Sequence, residues 1–212
     1  MIMVRLGDDH IFPSPRSANE HGVVAYGGDL NPNRIIQAYK QGIFPWFESD
    51  DNLLWWSPNP RMILYPEKIK ISKSLKSVIK KNTFKVTFNK DFEEVIESCS
   101  NIKRLGQKGT WITSGLKESF LHLHEKGLAI SVEVWKDSKI VGGLYGLDLG
   151  NVFCGESMFS KSSNASKVAL VNLSSELRKN NYKFIDCQIP TEHLKSMGGE
   201  EVSRDDFLKL LI

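Results

Sequence analysis

The sequence predicts an α+β fold with a mixed α/β sheet, and three observations support this class. Period-two alternation of apolar residues predicts three consecutive strands between residues 128 and 160. A helix is predicted after them, from Asn164 to about Asn180, and it leads to a further strand. Helical patterns also precede the first of these strands. This order of elements is typical of a sheet with helices packed on it.

Length and composition limit the class of protein further. A chain of 212 residues can form one large domain or two small ones, each with a core. No apolar run approaches the length of a membrane span, and the N-terminal residues lack the apolar segment of a signal peptide. The three cysteines form no CxxC motif, so we expect reduced thiols in a cytoplasmic protein.

The N-terminal part is rich in turn signals and aromatic residues. Residues 1–34 are expected to be mostly loops, followed by a helix from Pro32 to about Gln41. The aromatic segments 44–47 and 55–58 are bounded by prolines and are also expected to be loops. Three of the five tryptophans lie within eleven residues here, either as a compact core or as a stacking platform for a planar ligand. We predict a small N-terminal domain over residues 1–62 and a larger domain over residues 63–212.

Regular elements follow this boundary. In order, they are a basic helix over Ser72–Lys81, a strand over Phe84–Phe88, a helix over Asp91–Cys99, a helix from Thr113 to about Lys126, a strand over Leu128–Trp135, a hairpin over Val141–Phe159, the helix after Asn164, a strand over Lys183–Pro190 and a helix from Ser203. Asp91, Thr113 and Ser203 are predicted to cap their helices.

The hairpin carries one acid in its second strand, Glu156. Alternation predicts that Glu156 shares a face with Cys154 and Met158. A carboxylate between apolar side chains needs a partner or a function. The alternative is a buried hairpin with one acid at its edge.

A second polar cluster lies in the strand over Lys183–Pro190. Alternation places Asp186 and Gln188 on one face, together with Phe184. If this strand lies near the strand of Glu156, three polar groups converge on one apolar wall, as in many binding or catalytic pockets. Alternatively, Asp186 caps a loop and Gln188 is an edge residue.

The charges are unevenly distributed although the net charge is only +3. Residues 68–90 contain eight lysines and no acid, and residues 98–117 contain four basic residues and no acid. Such runs indicate either contact with RNA or DNA or a solvated helix face.

Other chemistry has little support in the sequence. It contains no Walker A loop, no G-x-G-x-x-G between a strand and a helix, and no G-x-S-x-G elbow. His122 and His124 are two residues apart, so they cannot bind one metal from one helix face. We expect neither a metal nor a covalent enzyme intermediate.

Several segments resemble one protein family in both order and content. They are FPSPRSA, GGDLNPNRIIQAYKQGIFPWF, WWSPNPR, GTWIT, SVEVW, GGLYG, FCGESMFS, NASK and DCQ. The chain is similar to leucyl/phenylalanyl-tRNA–protein transferases from about Phe12 to Phe207. The resemblance implies a GNAT-like (acetyltransferase-like) larger domain. It also implies transfer of Leu or Phe, and less readily Met, from leucyl-tRNA or phenylalanyl-tRNA to an N-terminal Arg or Lys. This transfer tags acceptor proteins for N-degron proteolysis, and we expect a monomer that needs no cofactor.

The resemblance also implies roles for individual residues. Asp186 and Gln188 would be the catalytic pair, and Glu156 would organise the site. Trp46 and Trp111 would stack on the 3′-terminal adenosine of the tRNA. The expected pocket for the aminoacyl side chain consists of Leu144, Phe153, Met158, Leu173 and Ile185. The expected phosphate contacts are Lys73, Lys76, Lys80, Lys81, Lys103 and Arg104.

The pocket assignment makes a geometric demand on the hairpin. Phe153 and Met158 point to opposite faces of a flat strand. Both can line one cavity only if the strand bends or bulges at Gly155, or if the cavity extends around the end of the strand.

The implied reaction is aminolysis of an ester. An N-terminal amine has a pKa of about 7.7–8.0, so roughly a tenth of it is neutral at pH 7 and a strong base is unnecessary. A carboxamide is a poor base. We therefore expect Asp186 to orient Gln188, and Gln188 and Glu156 to position the amine. The pocket is expected to select only coarsely, because one methylene changes binding by about 1–3 kcal/mol.

The sequence departs from the family at two places, and three other functions are alternatives. Position 144 is Leu where Met is common, and the chain ends at Ile212 without the C-terminal tail of many members. An acyl-CoA-dependent acetyltransferase would need a Q/R-x-x-G-x-G/A loop, which Ser160–Ser163 does not provide. Peptidoglycan-type aminoacyl transferases are usually much longer. A non-catalytic RNA-binding module would not explain the acid and the Asp–Gln pair in apolar strands.

Overall fold

The computed structural model describes residues 3–102 and 110–211, which form eleven strands and seven α-helices. The strands are β1 (Val4–Leu6), β2 (Val23–Gly27), β3 (Phe44–Pro45), β4 (Leu54–Trp56), β5 (Arg61–Leu64), β6 (Lys85–Phe88), β7 (Ala129–Lys136), β8 (Lys139–Asp148), β9 (Val152–Ser160), β10 (Phe184–Gln188) and β11 (Glu200–Val202). The helices are α1 (Pro32–Lys40), α2 (Lys73–Lys80), α3 (Phe92–Asn101), α4 (Ser114–Glu125), α5 (Ala165–Lys179), α6 (Glu192–Ser196) and α7 (Arg204–Leu211). No helix in this part of the chain is long and apolar enough to cross a membrane.

The N-terminal residues form a four-stranded sheet in the order β1-β2-β4-β3. The prediction that residues 1–34 are mostly loops is wrong for β1 and β2, and the prediction of loops at 44–47 and 55–58 is wrong for β3 and β4. These strands have only two to five residues, too few for alternation to be recognised. Pro45 is tolerated because β3 is an edge strand, where a missing N–H group interrupts no ladder.

A seven-stranded sheet in the order β11-β5-β10-β9-β8-β7-β6 forms the rest of the molecule. The predicted antiparallel β7-β8-β9 meander is confirmed, and so are the following helix α5 and strand β10. The pair β9 and β10 is parallel, with α5 as the crossover, whereas the other neighbouring strands are antiparallel. The mixed α/β class is therefore confirmed. The GNAT-like description of the larger part stays an expectation from the resemblance. β5, α6 and β11 were not predicted from the sequence.

Two hydrophobic cores lie on opposite faces of the large sheet. The first includes Ile35 and Trp55 from the N-terminal elements and Phe120 from α4. The second includes Leu75 from α2 and Leu173 from α5. Because the first core takes residues from both parts of the chain, the small sheet is fixed against the large one.

The predicted helix caps are present. Asp91 accepts a hydrogen bond from the Glu94 N–H at 3.2 Å, and Thr113 accepts one from the Leu116 N–H at 3.3 Å. The Ser203 hydroxyl accepts the Asp206 N–H at 3.1 Å and donates to the Asp206 carboxylate at 2.7 Å. These caps explain why the starts of α3, α4 and α7 could be predicted closely.

Candidate active site

A β-bulge places Glu156 in strand β9. Tyr145 of β8 pairs with Ser157 and Gly146 pairs with Gly155, so Glu156 is an extra residue between them. A side chain at position 146 would collide with the bulged strand, because its Cβ would lie 2.2 Å from the Cys154 carbonyl oxygen. Glycine at this position therefore allows the bulge.

The bulge reverses the alternation of side chains along β9. Phe153 and Met158 both pack toward the core that contains α5, whereas Cys154 and Phe159 belong to the opposite core. The prediction that Glu156 shares a face with Cys154 and Met158 is therefore wrong. The bulge at Gly155, which was expected if Phe153 and Met158 line one cavity, is confirmed.

A second irregularity lies next to it, in β10. Asp186 pairs with Ile63 of β5 and Gln188 with Met62, so Cys187 is the extra residue. Gln188 also has a φ of +55°, in the left-handed region. Simple alternation fails here: Asp186 is buried beneath the wall of a cavity, and Gln188 lines that cavity.

The cavity has a volume of about 540 Å³, within the range of small-ligand sites. Nine of the residues predicted from the sequence line it: Trp46, Trp111, Leu144, Phe153, Glu156, Met158, Leu173, Ile185 and Gln188. The structure thus brings the predicted stacking residues and the predicted side-chain pocket together with Glu156 and Gln188. Asp186 is the predicted catalytic residue that does not line the cavity.

Asp186 forms a buried ion pair with Arg61 of β5. The guanidinium donates from Nε to Oδ1 at 2.8 Å and from Nη2 to Oδ2 at 2.6 Å, and both side chains are 1% exposed. The rings of Phe44 and Phe207 lie 4.7 Å and 4.4 Å from the guanidinium carbon. Asp186 Oδ1 also accepts the backbone N–H of Gln188 at 3.1 Å, so the ion pair holds the Gln188 backbone.

Glu156 is hydrogen-bonded to Gln188, whose Nε2 donates to Glu156 Oε1 at 3.0 Å. Burial raises the pKa of Glu156 to about 8, and the nearby charge of Asp186 adds to the shift. The hydroxyl of Tyr39, on α1, faces the carboxyl and opposes this shift, although it does not reach ordinary hydrogen-bond geometry. Glu156 is therefore largely protonated at neutral pH and can exchange a proton near pH 8.

The tryptophans divide between the core and the cavity. Trp55 is fully buried and packs edge-on against Phe12, with ring centroids 4.9 Å apart. Trp46 and Trp111 are partly exposed and line the cavity. The indole of Trp56 supports Trp46 by donating to its carbonyl oxygen at 2.6 Å. Both interpretations of the aromatic residues therefore apply, each to different rings.

Four of the six predicted phosphate contacts lie in the described part of the chain, and none of these four lines the cavity. Lys73, Lys76 and Lys80 are exposed on α2, and Lys81 is exposed at its C-terminal cap. None of these four lysines forms an ion pair with another residue in the described part of the chain. Lys103 and Arg104 lie outside the described residues. The phosphate-binding role of all six stays a prediction.

Sequence reasoning missed several residues of the site. Arg61 begins the apolar run Arg61-Met62-Ile63-Leu64, but nothing in the sequence distinguishes it from an arginine at a loop end. Its partner is 125 residues away. Leu170 also lines the cavity, and its spacing of three residues from Leu173 on α5 was a usable signal. Tyr39 carried no distinguishing pattern.

The fold and the site together define a class, a mixed α/β protein in which the hydrogen-bonded Glu156 and Gln188 side chains lie at an apolar cavity. Comparison with known families is more specific. The family model described as leucyl/phenylalanyl-tRNA protein transferase matches residues 63–212, and the model of the N-terminal domain of that family matches residues 28–59. The chain belongs to this family, as the resemblance predicted.

Individual relatives are similar over nearly their whole length. A leucyl/phenylalanyl-tRNA–protein transferase of Flavobacterium johnsoniae is 53% identical over 209 residues, covering 99% of this chain and 99% of the relative. One of Syntrophobacter fumaroxidans is 48% identical over 211 residues, covering 100% of this chain and 90% of the relative. Among solved structures, a GCN5-related N-acetyltransferase from Kribbella flavida has 6% identity and a TM-score of 0.42, covering 79% of this chain and 59% of that one.

Proposed function

We propose that the protein transfers a leucyl or phenylalanyl group, and less readily a methionyl group, from tRNA to the N-terminal Arg or Lys of an acceptor protein. The observation that carries this proposal is the single cavity in which an apolar pocket meets the Glu156–Gln188 pair and two indoles. Family membership and the names of the relatives support it. The amine nitrogen bonds to the ester carbonyl carbon, the bond from that carbon to the ribose oxygen breaks, and the ribose oxygen takes up a proton.

The apolar part of the cavity is assigned to the aminoacyl side chain. Five predicted residues provide this pocket: Leu144, Phe153, Met158, Leu173 and Ile185. Their aliphatic and aromatic surfaces favour apolar side chains. Because no polar group is fixed at the inner wall by these five residues, selection among Leu, Phe and Met depends on shape and is coarse.

The polar end is assigned to the acceptor amine. Asp186, neutralised by Arg61, fixes the Gln188 backbone and does not itself reach the cavity. Glu156 and the side-chain oxygen of Gln188 then accept hydrogen bonds from the amine. An N-terminal amine has a pKa of about 7.7–8.0, and the pKa of Glu156 is about 8. Near pH 8 a neutral amine and an ionised Glu156 are therefore both available, and Glu156 accepts the proton that the amine nitrogen loses as it attacks the ester. Holding amine and ester together supplies several kcal/mol.

The tRNA is assigned to two further surfaces. Trp46 and Trp111 stack on the 3′-terminal adenosine, a contact of about 1–3 kcal/mol per base. The lysines of α2 and its cap, with Lys103 and Arg104, contact phosphates and so contribute affinity without sequence choice.

The biological setting follows from this reaction. The transferred residue tags the acceptor for N-degron proteolysis in the cytoplasm, where aminoacylated tRNA is found. The protein works as a monomer, since one chain lines the cavity. The proposed domains, residues 1–62 and 63–212, meet within β5, and the two family models match segments on either side of residues 60–62.

A transfer assay tests the reaction. The protein is incubated with labelled Leu-tRNA or Phe-tRNA and a peptide that begins with Arg, and a matched peptide that begins with Glu is the control. Label is expected only on the first peptide. Acetyl-CoA turnover without aminoacyl transfer would identify an acetyltransferase instead, and tRNA binding without any transfer would identify a binding module.

Single-turnover rates test the residue roles. Asp186→Asn and Gln188→Ala are expected to slow transfer. Gln41→Ala is the control and should not slow it, because the Gln41 carboxamide donates to the Gln37 carbonyl oxygen of its own helix at the surface. Wild-type rates in both Asp186→Asn and Gln188→Ala would overturn the assignment.

A further inference from the structure

Asp50 connects two parts of the chain that are distant in sequence. It lies in the loop between β3 and β4, and its Oδ2 accepts the N–H of Gly115 at 3.0 Å. Its Oδ1 accepts the hydroxyl of Thr113, the N-terminal cap of α4. The Thr113 oxygen in turn accepts the Leu116 N–H at 3.3 Å. One carboxylate from the small sheet thus completes the start of a helix in the other part of the molecule.

The surrounding chain is shaped to receive this carboxylate. A Cβ at Gly115 would lie 2.9 Å from Asp50 Oδ2 and 3.1 Å from the Leu30 side chain, so a larger residue would push both away. The Asn52 N–H donates to the Ser49 carbonyl oxygen at 3.0 Å, which forms the turn that presents Asp50. A helix start also carries partial positive charge, which favours a carboxylate.

Each end of this connection leads directly to an indole of the cavity. Trp46 precedes Asp50 by four residues, and the backbone N–H of Trp46 donates to the Leu54 carbonyl oxygen at 3.0 Å across the hairpin. Trp111 precedes Thr113 by two residues, with the buried Ile112 between them. The path from the carboxylate to either ring is therefore short and held by hydrogen bonds or burial.

We propose that Asp50 is a positioning residue that sets the separation of the Trp46 and Trp111 indoles. It thereby sets the affinity for the 3′-terminal adenosine. This inference rests on the proposed function, in which the two indoles stack on that base. Asp50 does not line the cavity and takes no part in the chemical step. Its loss should weaken binding of the donor and leave the chemical step unchanged.

The probe is an adenosine that carries phenylalanine through a stable amide at its 3′ position. Its dissociation constant is measured by calorimetry for Asp50→Ala and Asp50→Asn, and KM and kcat for Phe-tRNA are measured in parallel. We expect Asp50→Ala to raise the dissociation constant and KM by about 5- to 20-fold, part of the stacking contribution, with kcat changed less than about twofold. Asp50→Asn keeps one acceptor oxygen, so its dissociation constant and KM should lie between those of the wild type and Asp50→Ala.

Asp51→Asn is the matched control. Asp51 is the adjacent exposed carboxylate, and it accepts none of the hydrogen bonds found within residues 3–102 and 110–211. It should behave as wild type. If Asp50→Ala and Asp50→Asn both bind the probe as tightly as Asp51→Asn, the inference is overturned. Asp50→Asn alone decides the question if Asp50→Ala does not fold.

A double variant separates positioning from mere stabilisation of α4. If Asp50 acts through the indole, Asp50→Ala should have no further effect on probe affinity in a Trp111→Ala background. If Asp50→Ala instead weakens probe binding by the same factor in the wild type and in Trp111→Ala, Asp50 only stabilises the helix and the inference is overturned. Unchanged affinity in Trp111→Ala alone would instead refute the stacking role in the proposed function. Thermal unfolding of each variant monitors the helix cap independently.

Discussion

Arg61→Met tests whether the buried ion pair maintains the site. The substitution replaces the charged arginine with a shorter, uncharged, unbranched side chain and leaves Asp186, 1% exposed, without its cation. Removing one partner of a buried ion pair costs about 3–5 kcal/mol, because the other charge remains buried and unpaired.

The expected shift in melting temperature follows from the size of the chain. For a protein of 150–250 residues, each kcal/mol corresponds to about 2–4 °C. A loss of about 3–5 kcal/mol therefore corresponds to a decrease of about 6–20 °C. Transfer activity should also fall, since Asp186 would no longer be held where it accepts the Gln188 N–H.

Thermal unfolding of a second variant distinguishes an unpaired charge from lost packing. Arg61→Met combined with Asp186→Leu removes both charges, and it should recover most of the lost stability while remaining inactive. Two hydrogen bonds should stay lost, at about 1 kcal/mol each: the one to the Gln188 N–H, and the one that Arg61 Nη1 donates to the Gly42 carbonyl oxygen at 3.3 Å. A single variant that unfolds within about 3 °C of the wild type would refute the reasoning. A double variant no more stable than the single one would do the same.

Three further predictions concern pH, specificity and salt. Both the acceptor amine and Glu156, with its pKa of about 8, must lose a proton, so log kcat/KM should rise below pH 8 with a slope of about 2. In Glu156→Gln the slope should be about 1, and equal slopes in pH–rate profiles would contradict the role of Glu156. Leu173→Phe narrows the cavity and should shift the ratio of kcat/KM values toward Leu over Phe by about 10-fold, measured by competition between the two charged tRNAs. An unchanged ratio would show that Leu173 does not contact the aminoacyl side chain. Lys76→Ala and Lys80→Ala should each weaken tRNA binding and reduce the slope of log affinity against log salt concentration by about one. The control Lys179→Ala breaks a surface ion pair with Glu176 and should change neither the affinity nor the slope. An unchanged slope in both α2 variants would place the tRNA on another surface.

Sequence periodicity predicted the long elements of the large sheet, together with the short strands β6 and β10, and missed the other short strands. β7, β8, β9 and α5 each contain eight or more residues, long enough for a period of two or 3.6 to be recognised. β3 has two residues and no period at all. Its position depends on pairing with β4, which is a tertiary effect.

The candidate site was predictable in its residues and less so in its geometry. Glu156, Asp186 and Gln188 stand out because polar groups are rare in apolar strands. The bulge that directs Glu156 into the cavity depends on the register against β8, which the β9 sequence does not encode alone. Arg61 was missed because an ion pair between residues 125 positions apart leaves no local signal.

Because of the extra residue in β9, the residues that line the cavity differ from those that pack in the core between the two sheets. Phe153 and Met158 contribute to the ligand cavity, whereas Cys154 and Phe159, between and beside them in sequence, support the opposite core. Substitutions that adapt the cavity to a larger or smaller amino acid can therefore accumulate without disturbing the packing that joins the two sheets. In β9, the shape of the cavity can therefore change while the residues that pack between the two sheets stay the same.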